Sequence, residues 1–140
     1  MARARRGFLA TADEAGRPHV VPVVFVHQGR RLYIPLDAKP KRVPPLALQR
    51  VRNILVNPHV AFLVDRWDEE WGRLAYVLLR GRASLLTQGE DYEEALRALE
   101  AKYPQYRTLP LGRPPLIVVE VTRAVAWGDL TGPATEGGGG

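Results

Sequence analysis

"RGFLATADEAGRPHVVPVVFVHQGRRLYIP", Arg6 to Pro35, decides the fold. Three apolar runs, "RGFLAT", "PHVVPVVFV" and "LYIP", are separated by the short polar gaps "DEAGR" and "HQGRR". A glycine in a polar gap between apolar runs is the signal of a β-hairpin. Residues 6 to 36 therefore predict a three-strand antiparallel meander. Pro18 and Pro22 cannot donate to a β-ladder, which places the second strand at a sheet edge or gives it a bulge.

The pattern continues outward from this stretch. Residues 44 to 57 predict a helix with Pro44 or Pro45 in its first turn. Leu48, Val51, Ile54 and Leu55 form its apolar face, and Gln49, Arg50, Arg52 and Asn53 cover the rest. Asn57-Pro58 stops it, with asparagine suited to a left-handed cap. "HVAFLVD", His59 to Asp65, is a continuous apolar run and predicts a strand buried on both faces. After the loop "RWDEEWGR" comes the long strand "LAYVLLRGRASLL", with Gly81 as a bend. Thr87 and Glu90 have capping-box spacing and predict a second helix reaching Tyr103, its apolar face Tyr92, Ala95, Leu96, Leu99 and Tyr103. The last strand is "PPLIVVEVTRAVAW", Pro114 to Trp127. The fold class is thus α+β: a six-stranded antiparallel barrel, closed or nearly so, with two flanking helices. Residues 1–128 make one domain, and 129–140 make a flexible Gly-rich tail with too little apolar surface to fold.

Composition bounds the function. The 140 residues hold no cysteine, so disulfide and thiolate chemistry are excluded, which fits a reducing cytoplasm. No apolar run reaches the roughly 20 residues of a membrane span. The basic start reaches Asp13 and Glu14 too soon for a signal peptide's apolar region. His19, His27 and His59 lack metal-ligand spacing, so no metal is expected. Ser84 is the only serine and has no nucleophile elbow around it. Asp68, Glu69 and Glu70 read as a solvated loop, and no phosphate-binding glycine loop occurs. No catalytic residue is named by this pattern. Any chemistry belongs to a bound cofactor, with the protein supplying position and field. The net charge of +5 admits nucleic acid as a partner. Aromatic residues are not interleaved with the cations, however, so no nucleic-acid interface is expected.

"DAKPKR" is the sharper signal. Lys39, Lys41 and Arg42 include two of the chain's three lysines and stand just ahead of a helix N-terminus, where a dipole and cations together suit a phosphate. Arg50 and Arg52 are the next candidates for that role.

Beyond these readings, the sequence resembles a known family. "FLATADEAGRPHVVPVVFVHQGRRLYIPLDAKPKR", "LQRVRNILVNPHVAFLVDRWDEEW" and the later "GRA" are similar to the pyridoxamine 5'-phosphate oxidase-like split-barrel proteins. The nearest branch is that of probable deazaflavin (coenzyme F-420)-dependent enzymes. The likeness covers about residues 5 to 127 through the ordered features G-R-P, P-V-V-F, D-A-K-P-K-R, R-N-I…N-P and V-D. It implies a six-stranded split barrel, a homodimer, and FMN or the deazaflavin in a cleft between subunits. It places the second strand, His19, Val20, Val21, Pro22 and Val23, along the cofactor ring, and Lys39, Lys41 and Arg42 on its phosphate. Trp67 and Trp71 are candidates for the cleft near the ring, whereas Tyr76 and Trp127 are expected in the core. The arginine and lysine that true oxidases carry in the second strand are valine or phenylalanine here, which argues against pyridoxamine phosphate as substrate. The implied function is an FMN- or deazaflavin-dependent oxidoreductase moving a hydride to or from a small molecule. The alternatives are a non-catalytic flavin carrier, store or sensor, and a basic nucleic-acid binder.

Overall fold

The computed structural model describes residues 3–36 and 47–130. Lys39, Lys41, Arg42, Pro44 and Pro45 lie outside the described residues, as does the end of the chain from Thr131. Among the described residues, seven strands form one antiparallel sheet: β1 (Gly7–Ala12), β2 (Pro18–Val23), β3 (Val26–Gln28), β4 (Arg31–Pro35), β5 (His59–Arg66), β6 (Ala75–Leu86) and β7 (Leu116–Gly128). Two α-helices accompany them among the described residues, α1 (Gln49–Val56) and α2 (Glu90–Lys102).

The strand order is β2-β1-β5-β6-β7-β4-β3. The predicted meander is therefore two hairpins at opposite edges of the sheet. The run "PHVVPVVFV" is not one strand: it leaves the β1 edge after Val23, turns through Val24 and Phe25, and joins the β4 edge as β3. This splits six predicted strands into seven and links the two edges covalently, the arrangement of a split barrel. Pro18 and Pro22 do sit on an edge strand, opposite Ala12 and Phe8 of β1.

The curl creates two cores. Leu9, Phe25, Leu32, Ile34, Val60, Phe62, Leu79 and Val119 fill the inside, with Val51 and Ile54 of α1 packed against them. On the outer face, Tyr33, Leu116 and Val118 meet Tyr92, Ala95, Leu96 and Leu99 of α2 and Tyr103 just after it. β4 belongs to both cores, so Leu32 to Pro35 are all buried. β5 alternates instead of being buried on both faces: Val60, Phe62 and Val64 point into the core and the residues between them are half-covered.

Local departures have local causes. Leu55 is exposed and Asn53 takes the buried place on α1. Asn57 ends that helix in an extended conformation, with its N–H donating to Asn53 O, not as a left-handed cap. α2 starts after Gly89 at φ 107 without any side-chain cap, so the Thr87 and Glu90 spacing plays no capping role. Gly81 does mark a bend: Thr122 is an extra residue in β7 opposite Arg80 and Gly81. A Cβ on Gly81 would lie 2.3 Å from the Glu120 carbonyl oxygen, so only glycine lets β7 cross that close.

Phe25 is the corner of the barrel, and no ladder serves its backbone. The C-terminal end of α2 does so instead. Phe25 N–H donates to the Tyr103 hydroxyl at 3.1 Å, and Phe25 O accepts from Lys102 Nζ at 2.9 Å. The Tyr103 hydroxyl also lies 3.0 Å from Arg5 O, and the Arg5 guanidinium donates to Lys102 O at 3.0 Å.

Candidate functional site

The β1–β2 turn is built by one carboxylate. Asp13 Oδ1 accepts from the N–H groups of Ala15 and Arg17, both at 2.9 Å, while Oδ2 accepts from Arg17 Nε at 2.8 Å. The Arg17 hydrogen bonds hold the Asp13 carboxyl below its ordinary range. This fixed hairpin tip stands beside α1. Between them lies a pocket of about 650 Å³ lined by Asp13, Arg17, His19, Gln49, Arg52 and Asn53, with Leu55 and Val56 at its side. That volume lies within the range of cofactor and small-molecule sites.

Gln49 and Asn53 of the pocket lining continue into a buried row of polar groups. Gln49 Nε2 donates to Asn53 Oδ1 at 2.7 Å, and Asn53 Nδ2 donates to Thr11 Oγ1 at 3.0 Å. Thr11 and Asn53 are the buried polar residues of the described chain. Sequence reasoning placed Asn53 and Gln49 on the solvent face of α1 and passed over Thr11. Their spacing of four was the available signal, since it puts both on one stripe of the helix.

His19 stands opposite Thr11 in the β1–β2 register and faces this region. Its Nδ1 is buried and has no hydrogen-bond partner among the described residues. Arg52 lines the same pocket, is exposed, and has no ion-pair partner among the described residues. Of the second-strand candidates, His19, Val21 and Val23 share the half-buried face, whereas Val20 and Pro22 point to the other, exposed face. Only His19 among them lines the pocket.

Trp67 and Trp71 lie in the β5–β6 connection. Ala10 of β1 pairs with Ala61, so the hairpin tip is near the start of β5, while the tryptophans follow its end. Eight residues of strand separate the two ends, roughly 25 Å. Trp67 and Trp71 are both exposed, and Trp67 Nε1 donates to Glu69 Oε1 at 3.1 Å. Tyr76 and Trp127 are not core residues. They stack on one another at the surface of β6 and β7, ring centroids 5.7 Å apart, beside exposed Val125. The acidic loop is internally satisfied: Asp68 accepts from Glu70 N–H at 2.8 Å and faces Arg73 at 3.5 Å. Among the described residues no group of histidine, aspartate and glutamate could hold a metal ion. No described helix is long and apolar enough to cross a membrane.

A family model described as pyridoxamine 5'-phosphate oxidase matches residues 1–127. A search of curated proteins by sequence finds no match. Among solved structures, the conserved hypothetical protein Rv2991 of Mycobacterium tuberculosis is similar at TM-score 0.70 and 17% identity, over 89% of this chain and 78% of that one. HutZ, the heme storage protein of Vibrio cholerae, gives TM-score 0.68 and 16% identity, over 89% and 85%. An FAD-binding protein of Mesorhizobium loti gives 0.66 and 19%, over 89% and 86%. At these identities the likeness is one of fold.

Proposed function

Because the chain belongs to the pyridoxamine 5'-phosphate oxidase family, we propose that it is an oxidoreductase that binds a phosphorylated flavin, FMN ahead of the deazaflavin, along β2. The observation that carries this reading is the form of β2. It is an edge strand with nothing wider than valine between His19 and Val23, and it runs from the pocket beside α1 toward the exposed aromatic end of the barrel. A flat ring can approach such a strand closely. The site also fits a ligand's polar groups: His19 Nδ1 has no hydrogen-bond partner among the described residues, and Arg52 offers a cation.

Arg52 and Gln49 would hold the polar end of the cofactor, together with the cluster Lys39, Lys41 and Arg42, and the apolar face of β2 would orient the ring. A bound flavin supplies two-electron transfer. The protein's own part is to position the ring and exclude water from one face of it. Tyr76, Val125 and Trp127, with Trp67 and Trp71, form an exposed apolar surface at one end of the barrel. A second copy of the chain covers it in this proposal, making a homodimer with the cofactor cleft between subunits.

Titration with FMN, riboflavin and the deazaflavin, read by ring fluorescence, tests the reading. FMN should bind more tightly than riboflavin, and replacing Lys39, Lys41 or Arg42 with alanine should reduce that ratio about tenfold to a hundredfold. Binding of none of the three overturns it. A second reading, a haem-binding store, is favoured by the half-buried imidazole of His19 and by the fold shared with HutZ. Haemin that binds with a Soret shift lost in His19→Ala, in a protein that ignores FMN, would select it.

A further inference from the structure

The cluster at the barrel corner has chemistry beyond its structural role. Lys102 Nζ lies 3.7 Å from the centroid of the Phe25 ring and 5.2 Å from that of Tyr103, and it spends one hydrogen bond on Phe25 O. The Arg5 guanidinium lies 4.9 Å from the same Tyr103 ring. Two cations thus share one aromatic side chain. Among the described residues, neither has a carboxylate partner. The groups facing the Lys102 amine are Arg5 from the N-terminal arm, Tyr103 from the end of α2, and the Phe25 carbonyl from the corner.

We propose that Lys102 is an acyl-acceptor site, taking the acyl group of a small acyl phosphate onto its side-chain amine. Arg5 would draw the phosphate of such a molecule to the cluster, because a guanidinium without a carboxylate partner favours phosphate oxygens. The Lys102 Nζ lone pair then attacks the acyl carbon. The bond from that carbon to the phosphate oxygen breaks, inorganic phosphate leaves with the bonding pair, and the amine proton passes to water. No oxidant or metal is needed.

Burial of the amine, with Arg5 adding repulsion, lowers the Lys102 pKa to about 8. The Tyr103 phenol is pushed up by its own burial and so remains neutral in that range. Close to half of Lys102 is therefore free amine near pH 8, against about one part in 300 for an ordinary lysine. A less basic amine is also the weaker nucleophile, which takes back part of this advantage and leaves about tenfold. Acylation would also remove the charge that holds the Phe25 carbonyl and ring, so the modified corner should be looser.

The test uses the full chain and acetyl phosphate, with each lysine followed by peptide mass spectrometry from pH 6.5 to 10. Lys102 should be acetylated about tenfold faster than Lys39 or Lys41 at pH 8. Its rate should level off above that pH. Arg5→Ala should slow it severalfold and Arg5→Lys should restore it. Equal or faster labelling of Lys39 and Lys41, or a Lys102 rate that climbs unbroken past pH 9, overturns the proposal. Should Arg5→Ala fail to fold, the pH profile and lysine ranking of the unaltered chain decide the question by themselves.

Discussion

Replacing Tyr103 with phenylalanine tests how the barrel is closed. The substitution keeps the ring, and with it the Arg5 contact, and removes one oxygen. That oxygen accepts from Phe25 N–H at 3.1 Å and lies 3.0 Å from the Arg5 carbonyl. Phe25 is fully buried, so its N–H would lose its partner with no route to water. An unsatisfied buried donor costs about 1–3 kcal/mol. The Arg5 carbonyl is less enclosed and adds less. Phe25 O keeps Lys102, so no third group is stranded. The expected loss is about 2–3 kcal/mol, a large share of a domain's ~5–15 kcal/mol. At roughly 4 °C per kcal/mol for a chain of this length, the midpoint should fall by about 8–12 °C. Urea denaturation followed by circular dichroism measures the loss, and an unchanged m-value shows that the same surface is exposed on unfolding. Tyr76→Phe, on an exposed ring, should stay within about 0.5 kcal/mol. A loss below ~0.5 kcal/mol for Tyr103→Phe would show that the corner does not depend on this hydroxyl, and the account of barrel closure would be wrong.

Other substitutions probe the pocket, the bulge and the latch. Thr11→Val keeps the shape but leaves Asn53 Nδ2 without its acceptor, so it should cost about 1–2 kcal/mol in chemical denaturation; adding Asn53→Leu should recover part of that loss. Gly81→Ala drives a methyl into the Glu120 carbonyl and should cost more than about 2 kcal/mol, measured in the same way. The pH dependence of stability should carry the mark of Lys102. Its folded pKa of about 8 lies below its ordinary 10.5, so between those values the unfolded chain holds a proton that the folded chain has released. Stability should therefore rise from pH 8 toward pH 10, and Lys102→Met should flatten that rise. Tyr92 and Tyr103, both pushed up by burial, work in the opposite direction above about pH 10, where their phenols would ionise first in the unfolded chain.

Much of this protein was legible in the sequence because it is a matter of period and local geometry. The spacing of Tyr92, Ala95, Leu96, Leu99 and Tyr103 named the buried face of the second helix, and Gly81 marked the irregularity between β6 and β7. Pro18 and Pro22 called for an edge or a bulge, since neither can donate to a ladder, and the strand is an edge. The family likeness added the split barrel. What the sequence left undetermined was pairing between distant strands. Nothing local shows that "PHVVPVVFV" leaves one sheet edge at Val23 and joins the other at Val26, because both halves alternate equally well as a continued strand. Tertiary structure decides it: the sheet curls until β4 meets β7, and Tyr103 and Lys102, almost eighty residues away, supply the hydrogen bonds that the Phe25 corner lacks. The same distance hid the polar pair behind the pocket. Thr11 and Asn53 are ordinary polar residues of a strand and a helix until packing buries both and each becomes the other's partner. Tyr76 and Trp127 show the converse, since aromatic character predicts burial but only the register of β6 against β7 places them on the outside.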